Sequence, residues 1–119
     1  MDHAAVAIVP AGNLDASEAF YKRLGFEVVS DYGAYRILAD GRGWRLHLNH
    51  MPGWPKDVEA NPFGLYLYVD DVDAVADKVR DLIIEKGAPH DKPWGMYEFA
   101  VSDPTGVLVR IGRAIDQGR

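Results

Sequence analysis

Apolar and polar residues recur along the chain in a pattern that predicts two similar series of elements. An apolar run over residues 4–9, ended by Pro10, predicts a buried strand. Residues 13–24 have apolar side chains at helical spacing, so we expect a helix there that is capped by Asn13 and stopped by Gly25. Its buried face is predicted to consist of Ala16, Ala19, Phe20 and Leu24. Three strands are expected to follow, over residues 26–31, 34–39 and 44–49.

The same order of elements starts again after a linker. Residues 51–62 contain three prolines and predict no regular structure. A strand over residues 64–70 and a helix over residues 71–86 are expected next. Two apolar strands joined by a tight turn close the series within residues 92–111. The chain is thus predicted to form a single α+β domain over residues 1–119, made of two β-α-β-β-β modules at about 4–50 and 63–113.

Composition excludes several classes of protein. The hydrophobic share of 48% and the charged share of 26% are ordinary for a globular domain. A formal net charge of −5 argues against nucleic acid and anionic membranes as partners. The absence of cysteine rules out disulfides, a thiolate nucleophile and a cysteine metal site. The start of the chain has no signal-peptide pattern and no apolar run reaches membrane-spanning length, so a cytoplasmic location is expected.

Short motifs in both modules resemble those of one superfamily. Module one matches a "D…S..FY..LGF" signature, with Asn replacing the usual Asp, at Asn13, Ser17, Phe20-Tyr21 and Leu24-Gly25-Phe26. Module two carries "YVDDVDAV" at residues 68–75 and a "PWG…F…DP.G" hairpin at residues 93–106. These motifs resemble the vicinal-oxygen-chelate (glyoxalase/bleomycin resistance/dioxygenase) superfamily, in particular its bleomycin-resistance-like branch. The resemblance implies curved mixed sheets around a cleft, helices outside and a homodimer.

Within that fold, alternation along a strand separates cleft-facing side chains from those under a helix. In the first strand of module two, the purely apolar Leu65, Leu67 and Val69 are predicted to pack in the core. Alternate positions on this strand, and on the last strand of each module, are predicted to face the cleft. They are Gly64, Tyr66, Tyr68, Arg45, His47, Asn49, Leu108 and Arg110.

Metalloenzymes of this superfamily hold their ion with His, Gln or Glu at four strand positions. The resemblance places Val6, Gly64 and Arg110 at three of these positions and either Arg45 or His47 at the fourth. Valine and glycine donate no side-chain ligand, and a guanidinium repels a cation. We therefore expect no metal site of the family type and no catalytic residue.

Flat, partly polar side chains dominate the predicted cleft. Aromatic faces stack on planar groups, and a carboxylate such as Glu98 or Asp57 could attract a cation. The resemblance implies a metal-independent protein without a cofactor, which sequesters bleomycin or another planar or cationic compound. The predicted ligand-binding residues are Tyr35, His47, Asn49, Trp54, Phe63, Tyr66, Tyr68, Trp94, Glu98 and Arg110.

Several of these assignments have alternatives. Trp54 suits loop packing, a dimer contact or a ligand contact, and Tyr66 and Tyr68 suit a subunit interface as well as a cleft. Arg110 could pair with a cleft carboxylate or recognise an anionic group of the ligand. The sequence also leaves open whether the linker crosses between subunits.

Two other functions remain as alternatives. One is a metal-dependent glyoxalase- or dioxygenase-type enzyme in which His3 or His50 joins His47 as a non-standard ligand. The other is an interaction module whose cleft is filled by its own side chains.

Overall fold

The computed structural model describes residues 3–115 and contains two four-stranded mixed sheets. Module one consists of β1 (Ala7–Ala11), α1 (Leu14–Arg23), β2 (Glu27–Asp31), β3 (Tyr35–Ala39) and β4 (Arg45–His50). Module two consists of β5 (Gly64–Tyr68), α2 (Val72–Lys78), a 3₁₀ turn (Arg80–Leu82), β6 (His90–Asp91), β7 (Met96–Ser102) and β8 (Leu108–Ala114). None of the helices in the described range is long and apolar enough to span a membrane.

Both modules use the same strand order, β1-β4-β3-β2 in one sheet and β5-β8-β7-β6 in the other. In each sheet the first strand is parallel to the last, and the other neighbours are antiparallel. Because each helix connects the two edge strands of its sheet, it must cross one face and leaves the other face open. The predicted α+β fold with two β-α-β-β-β modules is confirmed.

A repeated turn fixes how the two modules correspond. Asp40 Oδ1 accepts hydrogen bonds from the backbone N–H of Arg42 (2.9 Å) and Trp44 (2.8 Å), just before β4. Asp103 Oδ1 does the same just before β8, with the N–H of Thr105 (2.8 Å) and of Val107 (2.9 Å). An aspartate that bonds its own downstream backbone stabilises a tight turn. The two aspartates are therefore equivalent, and the strands on either side of them can be aligned.

The alignment identifies the counterpart of each inner-face residue. Arg110 lies opposite Tyr66 of β5 in the second sheet, and His47 lies opposite Ile8 of β1 in the first. His47, and not Arg45, is therefore the counterpart of Arg110. By the same registers Tyr35, which pairs with Asn49, corresponds to Glu98, which pairs with Gly112.

The helix expected over residues 71–86 is shorter than predicted. Its N-cap is Asp71, whose side chain accepts from Ala74 N, but α2 ends at Lys78. Ile83 instead forms a bridge with Val101, and the N–H of Ile84 donates to Ala100 O at 2.9 Å. The β-branched pair thus pairs with strand β7, an alternative partner that local helical periodicity does not reveal.

Two further expectations about module one were wrong. Strand β1 starts at Ala7 and continues through Pro10, which an edge strand tolerates because its outer side needs no N–H donor. On α1 the residue Ala19 is exposed, whereas Ser17 and Tyr21 are buried. The cap at Asn13 is confirmed, since its side chain accepts from Ala16 N at 3.0 Å.

The two modules share one hydrophobic core and are tied by buried polar contacts. Tyr21 OH in module one donates to Asp103 Oδ2 in module two at 2.8 Å. Burial raises the pKa of the Tyr21 hydroxyl well above its ordinary value, and the adjacent Asp103 carboxyl raises it further. Burial also raises the pKa of Asp103, although several hydrogen bonds oppose that effect. Trp44 Nε1 adds a second link by donating to Tyr68 O at 2.7 Å.

Candidate functional site

A cluster of four side chains occupies the open face of the module-two sheet. Cross-strand pairing places Tyr66, Glu98 and Arg110 side by side on that face. Glu98 Oε1 accepts from Tyr66 OH (2.9 Å) and Trp94 Nε1 (3.1 Å), and Glu98 Oε2 accepts from Arg110 Nη1 (2.8 Å). We call these residues the Glu98 cluster.

Glu98 is the ionised centre of this cluster. Its side chain is fully buried, whereas that of Arg110 is 40% exposed. Burial disfavours the carboxylate, but hydrogen bonds from Trp94, Tyr66 and Arg110 outweigh it, so the pKa of Glu98 lies below its ordinary value. Burial and the bond to Glu98 raise the pKa of Tyr66, so its hydroxyl stays protonated and donates. Glu98 therefore does not face a ligand as a free anion, and Arg110 pairs with a cleft carboxylate, one of its two predicted roles.

Gly112 makes room for the cluster. A Cβ at this position would lie 2.5 Å from Tyr66 OH, 2.6 Å from Glu98 Cβ and 2.7 Å from Tyr97 O. Real Cβ atoms do not approach other atoms so closely. Sequence analysis did not identify this residue, although a glycine inside a strand is a known signal of close approach by a neighbouring group.

Trp94 is the exposed member of the cluster, with 58% of its surface accessible. It lies on a turn closed by the bond from Lys92 N to Met96 O (2.7 Å), with Gly95 at φ +86°. The Lys92 ammonium and the Arg110 guanidinium lie 5.8 and 5.7 Å from the ring centroid. Lys92 in turn bonds both carboxylate oxygens of Glu85. The hydrogen bond from Nε1 and the two neighbouring cations therefore hold the indole in place, while much of its surface stays accessible.

The equivalent face of module one carries a hydrogen-bonded tyrosine–histidine pair. Tyr35 OH and His47 Nδ1 are 2.6 Å apart, and their rings meet edge to face. Ile8, the counterpart of Tyr66, is 52% exposed. Asn49 lies between Tyr35 and Pro10 in the sheet and is partly buried. Tyr35, His47 and Asn49 are thus neighbours, as the strand pattern predicts.

The remaining predicted site residues are Tyr68 on β5 and residues of the segment between β4 and β5. Tyr68 is 66% exposed, and its ring centroid is 4.6 Å from that of Tyr66. Phe63 is partly buried against the hydrophobic core, and Trp54 is partly buried in the segment between β4 and β5. Asp57 accepts a bond from Glu59 N within its own loop. The strand residues form two groups, one on each sheet, whereas Trp54 and Phe63 lie between β4 and β5 and their ligand contact stays a prediction.

The family metal positions do not form a metal centre in the described part of the chain. Across residues 3–115, no three His, Asp or Glu side chains form a group that could hold a metal ion. Arg110, at one of these positions, is occupied by its ion pair with Glu98. His47, now assigned to the fourth position by register, bonds Tyr35.

Two cavities lie beside these faces. One, of about 650 Å³, lies between the modules, with Trp44, Tyr68 and Val75 among its lining residues. The other, of about 470 Å³, is lined by residues before β1 together with Trp44, Arg45 and Tyr66. Sequence analysis identified neither, because both depend on how the modules are placed against each other.

Comparison with known proteins gives consistent matches over nearly the whole chain. A family model described as the Glyoxalase/Bleomycin resistance protein/Dioxygenase superfamily matches residues 1–111. A bleomycin resistance protein from Klebsiella pneumoniae is 30% identical over 111 residues, which cover 87% of this chain and 86% of that protein.

Two solved structures are similar in both sequence and shape. A bleomycin-binding protein complexed with bleomycin is 28% identical, with a TM-score of 0.80 over 94% of this chain and 98% of that one. A bleomycin resistance determinant encoded on the transposon Tn5 is 30% identical, with a TM-score of 0.78 over 96% of this chain and 98% of that one.

Proposed function

The chain is a bleomycin-resistance-like member of the glyoxalase/bleomycin resistance protein/dioxygenase superfamily, and from this premise we propose that it binds bleomycin or a similar planar, cationic compound. Binding takes place on the open face of module two, needs no metal ion and involves no chemical step. The protein would act by sequestering the compound in the cytoplasm.

The exposed, fixed indole of Trp94 is the observation that carries this proposal. An aromatic ring that is already oriented binds a planar group with a small loss of conformational entropy. The bond from Trp94 Nε1 to the buried Glu98 supplies this orientation. An exposed tryptophan that contacted only solvent would gain little stability from being oriented in this way.

Arg110 is proposed to orient the bound compound. Its Nη1 is used by Glu98, but its side chain is 40% exposed, so further N–H donors of the guanidinium face the cleft. These donors suit a carbonyl or carbamoyl oxygen next to the planar group that stacks on Trp94. The cationic part of the compound is favoured by the net charge of −5 rather than by Glu98.

A second copy of the chain is proposed to complete the cleft. Large apolar side chains on the open faces are accessible in the single chain, with Ile8 at 52% and Tyr68 at 66% exposure. Apolar surface of this kind commonly marks an interface. The homodimer is tested by sedimentation equilibrium, and a monomer at micromolar concentration would exclude it.

The binding proposal is tested by calorimetric titration of chelator-treated protein with metal-free bleomycin. We expect saturable binding with a stoichiometry near one per chain. Trp94→Ala should weaken it at least about tenfold, because stacking is lost. Calorimetry is needed because Trp94 is itself a fluorescent reporter and its removal would change the optical signal.

Matched variants separate the role of Trp94 from general effects. Trp54→Phe replaces the partly buried linker tryptophan, for which the sequence also predicts a ligand contact. A loss of affinity below about twofold with this variant would assign the stacking to Trp94 alone. Wild-type protein that gives no heat with bleomycin at high concentration would overturn the proposal. So would a stoichiometric divalent metal whose removal abolishes binding.

A further inference from the structure

We infer that the cavity of about 650 Å³ between the modules is a second binding site, which accepts a small anionic molecule with an apolar body. We call it the junction site. Neither Trp94 nor Arg110 lines this site, so it can be tested separately from the bleomycin-binding proposal.

One of the two junctions between the modules is closed. At the turn before β8, Thr105 Oγ1 accepts from Gly12 N of module one at 3.1 Å, and Tyr21 reaches Asp103. The linker covers this turn, since Asn61 Nδ2 donates to Thr105 O at 3.2 Å. A Cβ on Gly106 would lie 2.5 Å from the backbone of Lys56. The result is a filled junction in which Asp103 and Thr105 are only 3% exposed.

The equivalent junction, at the turn before β4, is open. Val79 follows the α2 cap at the same interval as Tyr21 follows the α1 cap, and its short side chain cannot reach Asp40 as Tyr21 reaches Asp103. Asp40 and Trp44 are only partly buried and Arg42 is exposed. The cavity therefore lies beside the turn whose counterpart on the other side is covered by the linker.

The lining of the junction site combines apolar walls with an excess of positive charge. Leu24 and Val75 are almost fully buried and form apolar wall, together with the partly buried Trp44. The volume of the cavity lies within the range of small-molecule sites. The charged lining residues are Arg42, Lys78 and Arg113 against Asp40 and Asp70.

The charged lining residues differ in how many of their polar atoms already bond to other protein groups. Asp40 Oδ1 already accepts two backbone bonds of its turn. Arg113 lies over the ring of Tyr97, with 5.0 Å between its guanidinium carbon and the ring centroid. Within residues 3–115 the side chains of Arg42 and Lys78 make no hydrogen bond or ion pair to protein groups. Two uncommitted cations beside an apolar wall favour a carboxylate or sulfonate on an aromatic or aliphatic body.

Strand geometry separates most of this site from the Glu98 cluster. Tyr68 is the lining residue that comes near the cluster, since its ring centroid is 4.6 Å from that of Tyr66. Arg113 lies three positions after Arg110 on β8, so their side chains leave opposite faces of the sheet. Val75 and Lys78 belong to α2, which covers the face that Arg110 does not share. A ligand at the junction site therefore leaves Trp94 free.

The test uses two fluorescent probes that share a fused aromatic body and differ in charge, anilinonaphthalene sulfonate and phenylnaphthylamine. Binding is followed by energy transfer from Trp44 in a Trp54→Phe/Trp94→Phe background, where Trp44 is the single tryptophan. We expect saturable transfer to the sulfonate. Arg42→Gln with Lys78→Gln should weaken sulfonate binding about tenfold and change binding of the neutral probe less than about twofold.

A charge-matched control removes two cations elsewhere. Arg80→Gln with Lys86→Gln lowers the net charge equally at exposed positions that do not line the cavity, and should leave sulfonate affinity unchanged. The inference is overturned if both double variants weaken the sulfonate equally, if neither does, or if the sulfonate gives no transfer from Trp44.

Discussion

Module one places Tyr35 and His47 on its open face at the positions where module two places Glu98 and Arg110. The first pair is joined by one hydrogen bond, and the second belongs to a buried cluster that includes an ion pair. Strand order, registers and the aspartate turn are the same in both. The two modules therefore share one backbone fold but carry different side-chain chemistry on their open faces.

The junctions between the modules differ in the same way. One is filled by Tyr21 and the linker, and the other contains a cavity. A chain with internal pseudo-symmetry needs a linker on only one side of the repeat, so the two junctions cannot be identical. Any function built at the open junction depends on that asymmetry.

The largest effect is expected when module two is given the module-one residue at Gly112. Gly112→Asn places a Cβ 2.5 Å from Tyr66 OH and 2.6 Å from Glu98 Cβ, and should lower the free energy of unfolding by about 3 kcal/mol. The reverse change, Asn49→Gly, should cost only about 1 kcal/mol through backbone entropy. Urea denaturation measures both, and equal losses would show that the two positions are not sterically different.

A smaller effect is expected when the ion pair is broken. Arg110→Met leaves the buried Glu98 carboxylate without its cation and should cost about 2 kcal/mol, since Arg110 itself is partly exposed. Adding Glu98→Gln should recover part of this loss because the unpaired charge is gone. Tyr35→Phe, which removes the single bond in module one, should cost about 1 kcal/mol. A double variant as unstable as Arg110→Met alone would argue against an uncompensated charge.

The smallest effect is expected in the pH dependence of stability. Because the folded pKa of Glu98 lies below the ordinary value of 4.5, its contribution is present above pH 4.5 and is lost as the pH falls through the folded pKa. Glu98→Gln should remove this component, so the wild-type and variant stability curves converge below pH 4.5. Asp103, whose pKa is raised, contributes with the opposite sign in both proteins and cancels in the difference. Parallel curves down to low pH would contradict the assignment.

Local sequence signals were sufficient for most of the fold. The cap at Asn13 and the glycine after α1 lie where their side-chain and backbone chemistry predicts. The predicted cleft positions His47 and Asn49 alternate along β4 with the buried Leu46 and Leu48. These features depend on neighbours within a few residues, which is why the sequence shows them.

Features that depend on residues far apart in the chain could not be predicted from the sequence in the same way. Ile83 left the expected helix because Val101 offered a bridge, and Ser17 was buried by packing that its polarity does not indicate. Residue types predicted Tyr66, Trp94, Glu98 and Arg110 for the site, but their mutual bonds and the role of Gly112 required the sheet registers.

By itself, the sequence determined the two modules, the polar side of each strand and the family, because these follow from periodicity, capping and short motifs. Only the tertiary structure decided that Glu98 is a buried hydrogen-bond acceptor that orients Trp94, and not an exposed carboxylate that attracts a cation. It also decided that His47 is the counterpart of Arg110, and that one junction is filled while the other is open. The physical reason is that burial and electrostatic pairing are set by residues far apart in the chain, which come together only when both sheets have formed.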